Sequence, residues 1–268
     1  MEVVLTIAGS DSSAGAGIQQ DLKTITAHGC YAATVITSVT SQNTLGVLSA
    51  LSMPADVVAS QMRAVLMDMA PGAVKIGMLP DRDVAEAVVS VLGDYLRAHP
   101  VPVIYDPVMV STSGYDLMRA EDITYVAGHL FPLCTLVTPN IPEARRLVGV
   151  VDGDVPDDDV AAMGHTLTRH YSTSFLLKGG HADGTLAVDR LFLADGSECA
   201  FQSQRVASGN LHGTGCTMSS AVAACMANGY GLAESVGRAK NFVTEAIRRS
   251  VNVKVGHGNG PLHVLDTE

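Results

Sequence analysis

Short apolar runs of strand length recur along this chain, and most are separated by stretches with helical spacing. No other feature constrains the fold as much. Strands joined by helical crossovers pair in parallel, and a parallel sheet needs helices on both faces. The runs at 3–8, 31–41, 73–78, 101–105, 135–138 and 175–178 read as strands. The spacing predicts helices over 18–28, 55–69, 83–98 and 158–171, and a helix beginning near 143. Stretches 185–193 and 198–206 flank Ala194-Asp195-Gly196-Ser197 and predict a β-hairpin. Two more helices, 217–228 and 232–249, precede a Gly-rich tail. With no repeat, linker or low-complexity segment, the expectation is an α/β chain folded as a single domain, residues 1–268. Its central, mostly parallel sheet is flanked by helices in three layers and carries a small β-hairpin.

In such a sheet, ligands bind beyond the carboxyl ends of the strands. The segments expected there are 9–17, 42–43, Met78, 106–114, 140–143, 178–181 and 213–216, and glycines and polar residues concentrate in them. His212-Gly213-Thr214-Gly215-Cys216-Thr217 is the most informative, because the helical run 218–227 follows it. Backbone N–H groups of such a loop, backed by the helix dipole, form an anion site. Cys216 falls at the helix start, where a thiolate is favoured. Anion hole and nucleophile-like side chain together suggest phosphoryl transfer. The loop is not a Walker A motif, since no lysine follows the glycines. Taken alone, Cys216 reads equally as a buried core cysteine.

The 268 residues are 47% hydrophobic and 16% charged, enough for a large core. A formal net charge of −10 argues against nucleic acid or an anionic membrane as the main partner. It leaves an anionic small molecule open, because local N–H groups hold phosphate inside an acidic protein. Five scattered cysteines without CxxC spacing fit reduced thiols in a cytoplasmic protein, not a structural zinc site. The first residues lack a basic segment, and no apolar run approaches 18 residues, so neither a signal peptide nor a membrane span is expected.

Several other residues carry candidate chemistry beside a plainer reading. The small residues of segment 8–17 let a ligand approach the backbone, but their spacing lacks the GxGxxG dinucleotide fingerprint. Asp11 doubles as a turn residue, and Asp21 as an exposed helix acid. Asp106 ends an apolar strand before Pro107, where it could hold Mg2+ through water or form an Asx turn. Asn140 and Glu143, three apart, suit a capping box, or place Glu143 on hydrated Mg2+. Lys178, between an apolar strand and Gly179-Gly180, suits phosphate neutralisation better than a surface role. Met78 and Val108 could pack on a flat ring or belong to the core. Gln42 could pair with a heteroaromatic edge or be a turn amide. Five aspartates within 152–159 read as a solvated loop and helix start, not a metal site.

Taken in order, these segments resemble one known family from end to end. Ala8-Gly9-Ser10-Asp11, Gly15-Ala16-Gly17-Ile18-Gln19, Asp21-Leu22-Lys23-Thr24, Gln42-Asn43-Thr44 and Lys75-Ile76-Gly77-Met78-Leu79 carry the first half. Asp106-Pro107-Val108-Met109, Thr138-Pro139-Asn140, Glu143-Ala144, Leu177-Lys178-Gly179-Gly180-His181, the His212 to Thr217 run and Val255-Gly256-His257-Gly258 carry the second. The pattern is similar to that of the hydroxymethylpyrimidine/phosphomethylpyrimidine kinases of thiamin biosynthesis. The resemblance implies a ribokinase-like fold, ATP and Mg2+ as cosubstrates, and a homodimer. It implies two phosphoryl transfers, first to the alcohol of 4-amino-5-hydroxymethyl-2-methylpyrimidine and then to the resulting monophosphate. By position it implies that Gly9, Ala16, Asp21, Gln42, Met78 and Val108 line the pyrimidine site. Asp106, Asn140, Glu143, Lys178 and Thr214 would serve phosphates and metal, with Asp106 and Glu143 reaching the metal through water. Gly213, Gly215, Cys216 and Lys178 would form the catalytic anion hole. Ser12 and Ala14 depart from a frequent proline and glycine, and Leu211 from a frequent threonine.

A pyridoxal kinase is the nearest alternative, since vitamin B6 shares a flat heteroaromatic ring with a hydroxymethyl arm. Related sugar kinases usually carry aspartate where Cys216 stands. A non-catalytic vitamin-binding protein would have little need for Asp106, Glu143, Lys178 and the glycine loop together.

Overall fold

Crossovers through helices bring six strands of this chain side by side in parallel. The computed structural model describes residues 1–110, 118–151, 153, 155–179 and 184–265. Its strands are β1 (Val3–Asp11), β2 (Tyr31–Asn43), β3 (Gly46–Ser52), β4 (Ala73–Ile76), β5 (Val103–Tyr105), β6 (Leu136–Val137), β7 (Ser174–Lys178), β8 (Leu186–Phe192) and β9 (Glu198–Gln204). They form one sheet in the order β3-β2-β1-β4-β5-β6-β7-β8-β9. From β2 to β7 every pairing is parallel, while β3, β8 and β9 pair antiparallel at the two edges. The helices are α1 (Gly17–Ala27), α2 (Ala55–Met69), α3 (Arg82–Ala98), α4 (Ala120–His129), α5 (Ile141–Val150), α6 (Val160–Tyr171), α7 (Thr214–Ala227) and α8 (Leu232–Ser250).

Side chains alternate across each strand, so the buried strands feed two cores. Leu5, Ile7, Val74, Ile76, Val103 and Tyr105 pack with α2–α6 on one face. Val4, Ala73, Ile104, Leu136 and Leu176 pack with α7 and α8 on the other. The structure bears out the expected three-layer, mostly parallel architecture and the hairpin, now β8 and β9.

Helix α7 decides where the site lies. Ser219, Ser220, Ala221, Ala223 and Ala224 are buried along it, and such small side chains let the helix lie close over the sheet. Its N-terminus thereby ends over the carboxyl ends of the central strands.

Three sequence expectations are corrected. Helix α7 begins at Thr214, so Gly215 and Cys216 lie inside its first turn instead of before it. Strand β3 has no predicted counterpart. Its Leu48 and Leu51 are exposed, so the strand rests on pairing with β2 and shows no half-buried pattern. Helix α4 was also unanticipated, although Ile123, Val126 and Ala127 bury at helical spacing behind the acidic first-turn residues Glu121 and Asp122.

Candidate active site

Three strand ends and one helix start converge on a buried charge pair. Asp106 follows β5 and is 2% exposed. Its Oδ1 accepts from Lys178 Nζ at 2.6 Å and from Thr138 Oγ1 at 3.2 Å. Lys178 ends β7 and reaches past β6 to make that contact. Asp106 Oδ1 is therefore committed to Lys178 and Thr138, while Oδ2 faces the first turn of α7. A Cβ built on Gly215 would lie 3.0 Å from Asp106 Oδ2 and 3.3 Å from Lys178 Nζ, so the first turn of α7 faces the pair directly. Burial alone would lower the Lys178 ammonium, but Asp106 and Glu143 outweigh it and hold it above its usual value.

Residue 213 has φ +86° and caps α7 in the left-handed region, and a Cβ there would collide with the Gly15 carbonyl at 2.1 Å. Only glycine meets both conditions. Thr214 N–H donates to the Leu211 carbonyl and Thr217 N–H to Gly213. Gly215 and Cys216 N–H groups sit in the first turn, where the helix ladder supplies no acceptor. No acidic residue occupies that turn to compete for them. These two N–H groups are thereby left for an acceptor from outside the helix.

Asn140 and Glu143 form the capping box of α5: Asn140 Oδ1 accepts from Glu143 N–H and Glu143 Oε2 from Asn140 N–H, both at 2.8 Å. The Asn140 oxygen is accordingly spent on the helix. Glu143 is 7% exposed, and burial raises its carboxyl to about 7. Lys178 opposes that rise, Asp106 adds to it, and N–H groups of Asn140 and Met109 restrain it. Glu143 is thus the cap of α5, with Lys178 and Asp106 close enough to shift its carboxyl.

Two expectations change at the floor of the site. The first is Asp21, expected beside the ring. It is fully buried, with Oδ2 accepting from Thr6 Oγ1 at 2.6 Å and Lys75 Nζ at 2.8 Å, and Oδ1 from Ser220 Oγ at 2.8 Å. Its oxygens are consumed in tying β1, β4 and α7 to α1, so it supports the site from below. The second is the thiolate at Cys216. Burial pushes that thiol up to about 11, against a lowering influence of Lys75 and the Gly17 N–H, while Asp21 and Asp106 raise it further. Desolvation outweighs the helix terminus, although the residue retains partial exposure.

A second group of residues gathers over β1, β2 and β4. A Cβ at Gly9 would touch Met78 Cε and Sδ at 3.6 Å, which puts these two expected ring contacts together. Met78 and Val108 are half-buried. Ala16 N–H is held by Asp11 Oδ2 at 2.9 Å. The Asp11 carboxylate also accepts from Gly15 N–H, from the Ser13 N–H and hydroxyl, and from His212 Nε2 at 3.0 Å. Burial alone would raise Asp11, but His212 and Ser13 outweigh it and hold the carboxyl below its usual value. Gln42 is half-buried, with its side chain 3.1 Å from both Thr40 Oγ1 and His212 Nε2. His212 is the residue that sequence reasoning passed over; its only signal was its place at the head of the Gly213–Gly215 loop.

Positions 111–114 and 180–181 of the expected strand-end segments, and Asp152 and Asp154 of the aspartate run, lie outside the described residues. Asp159 caps α6 by accepting from Ala162 N–H. Among the described residues, no group of three or more His, Cys, Asp and Glu could hold a metal ion. No helix among them is long and apolar enough to cross a membrane.

Comparison with known proteins gives a consistent answer. A family model described as phosphomethylpyrimidine kinase matches residues 11–263. The hydroxymethylpyrimidine/phosphomethylpyrimidine kinase of Rhizobium meliloti (strain 1021) is 41% identical over 262 residues, covering 97% of this chain and 96% of that protein. The crystal structure of phosphomethylpyrimidine kinase from Clostridium difficile 630 aligns with a TM-score of 0.78 and 39% identity, over 92% of this chain and all of that one. Pyridoxal kinase from Bacillus subtilis, solved as an ADP complex, aligns with a TM-score of 0.86 and 30% identity, over 98% and 97% of the two chains.

Proposed function

This chain belongs to the phosphomethylpyrimidine kinase family, and from that premise we propose that it phosphorylates 4-amino-5-hydroxymethyl-2-methylpyrimidine and then its monophosphate, with ATP as donor. The product is the diphosphate used in thiamin biosynthesis. The observation that carries this reading is the Asp106–Lys178 pair set against the first turn of α7, where the Gly215 and Cys216 N–H groups have no acceptor in the helix. Fixed positive groups beside a helix N-terminus are what a transferring phosphoryl group needs, since its catalysis is mostly positioning and charge stabilisation. Lys178 neutralises the phosphoryl oxygens, and Gly213, Gly215 and Cys216 form the anion hole, with Thr214 beside the nucleotide phosphates. The ring packs on Gly9, Met78 and Val108, of which Gly9 and Met78 lie side by side, and Gln42 pairs with its polar edge. The single nine-stranded sheet supports one domain across the chain.

The residues fit Mg2+ in hydrated form. Asp106 and Glu143 supply two carboxylates, too few for a protein cage but the number Mg2+ takes when phosphates and water complete its shell. When bound, the ion would neutralise charge on the phosphates. Identity favours the pyrimidine over pyridoxal, at 41% to a pyrimidine kinase against 30% to a pyridoxal kinase. The enzyme works in the cytoplasm as a homodimer that covers Leu45, Leu48 and Leu51, which are 68%, 78% and 69% exposed at the β3 edge. The deciding experiment is a turnover assay of the purified protein with hydroxymethylpyrimidine, its phosphate and pyridoxal. Turnover of pyridoxal alone would overturn the substrate assignment.

A further inference from the structure

We propose that His212 is a positioning residue that fixes which way round the Gln42 side-chain amide meets the bound ring. The inference rests on the placement of Gln42 beside the pyrimidine and adds a residue that selects among rings.

Hydrogen counting around Gln42 carries it. The Asp11 carboxylate accepts five bonds, from Ser13 N–H, Ser13 Oγ, Gly15 N–H, Ala16 N–H and His212 Nε2. An ionised carboxylate only accepts, so His212 Nε2 must bear the proton. With Gln42 Nε2 turned toward His212, 3.1 Å away, two N–H donors would face each other. Thr40 favours the other orientation as well. Its single hydroxyl proton would have to reach both the Ser10 carbonyl and Gln42 Oε1, each at 3.1 Å. An amide oxygen and nitrogen are told apart by their partners, not their shape. One half-turn of the Gln42 amide removes the donor–donor clash at His212 and leaves the Thr40 proton to Ser10 alone. Oε1 then accepts from His212 Nε2–H, whose proton it shares with Asp11. Nε2 donates to Thr40 Oγ1, whose own proton goes to Ser10. Two independent contacts therefore choose the same orientation.

So oriented, the amide keeps one N–H and one oxygen lone pair for a ligand. An aminopyrimidine edge, an amino donor beside a ring-nitrogen acceptor, is complementary to that pair. The order of donor and acceptor is what His212 enforces, because the reversed amide would meet the His212 proton with its own. A ring with the opposite order is refused at the same place. His212 belongs to the loop that continues into Gly213 and α7, so the residue that orders the ring-reading amide is covalently continuous with the anion hole.

Steady-state kinetics on the full-length enzyme tests this. His212→Met removes the donor, and the pyrimidine KM should rise about tenfold, the scale of one neutral hydrogen bond. The kcat and the KM for ATP should move less than about threefold. His212→Gln restores a donor at similar reach and should recover most of the loss. In a Gln42→Leu background, His212→Met should add nothing. Should His212→Met not fold, Thr40→Val removes the other partner of the amide and should raise the same KM, again only when Gln42 is present. Equal losses with and without Gln42, or a fall in kcat at unchanged KM, would overturn the positioning role alone. An unchanged pyrimidine KM in Gln42→Leu itself would remove Gln42 from the ring site, and this role with it.

Discussion

The two halves of the proposed site are built by opposite means. At the proposed phosphate end, buried Asp106 and half-buried Lys178 form an ion pair at the ends of β5 and β7 before any ligand arrives, and the buried Glu143 carboxyl at the start of α5 is held by the Asn140 N–H. At the proposed ring end, Gly9, Met78, Val108 and Gln42 are small, apolar or neutral, and Gln42 reaches through His212 to the Asp11 carboxylate that holds the 11–16 loop. The phosphate end spends its organisation on charge stabilisation, which is worth most where water is excluded. The ring end spends it on shape and on the order of donors and acceptors, which governs selectivity more than rate.

The largest expected effect follows from that division. Lys178→Ala should lower kcat about 10²–10³-fold on both substrates and leave the pyrimidine KM within about threefold. Rapid-quench or steady-state assays with each substrate read it directly. An unchanged kcat with only a raised pyrimidine KM would erase the distinction between the two ends.

Glu143 offers a sharper probe, because its charge depends on pH. Its folded carboxyl titrates near 7 instead of the usual 4.5, so the folded protein binds that proton more tightly than the unfolded chain. Below the unfolded value, both states are protonated and nothing is lost. Stability then falls as pH rises from about 4.5 to about 7, and the penalty is complete above that. Glu143→Gln, which keeps an oxygen for the Asn140 N–H, should stabilise the ligand-free protein by roughly 1–3 kcal/mol at pH 8.5 and hardly at pH 4.5. Urea unfolding at the two pH values checks this. Equal stabilisation at both would mean that the carboxyl is not strained by burial.

The contrast also explains what could be read from the chain. Asp106, Lys178 and Glu143 were legible because each follows an apolar strand or opens a helix, where local pattern alone puts a charge at a strand end. Asp21 was misread for the opposite reason. Nothing near it in sequence announces Lys75 or Ser220, 54 and 199 residues away, which bury it. His212 was missed because its partners Asp11 and Gln42 lie 201 and 170 residues away. Strand β3 escaped because its leucines face outward, and sequence periodicity registers burial, not pairing.

Cys216 sits where the two ends meet, and its expected effect is smaller than a general base would give. Such a base contributes about 10²–10⁴-fold. A thiol raised to about 11 is ionised in only about one part in 10⁴ at pH 7, which cancels most of that advantage. Cys216→Ala should therefore slow the alcohol step only about tenfold at pH 7, and by more as pH rises toward the thiol's value. The phosphate step, whose nucleophile is already anionic, should change little. Cys216→Asp should spare the alcohol step and damage the phosphate step by like-charge repulsion. Measuring kcat/KM for both substrates from pH 7 to 10 separates these outcomes; equal losses on the two substrates would make Cys216 merely a shaper of the loop.

The smallest expected effect tests whether the ring-end loop is held by its bonds or by its backbone preferences. Ala14 has φ +59°, in the left-handed region that a side chain disfavours. Its conformation is imposed by neighbours: Ala14 N–H donates to the Asp11 carbonyl at 2.9 Å, and Lys23 Nζ donates to the Ala14 carbonyl at 2.8 Å. Ala14→Gly relieves the strain but loosens the unfolded chain, so the two contributions partly offset. A net stabilisation of about 0.5–1 kcal/mol should remain, seen as a higher urea midpoint at unchanged slope. Because the Asp11 carboxylate already fixes Ser13, Gly15 and Ala16, the pyrimidine KM should stay within about twofold. A KM that rises several-fold while stability improves would mean that the strained alanine itself, and not the Asp11 and His212 bonds, holds the ring end in shape.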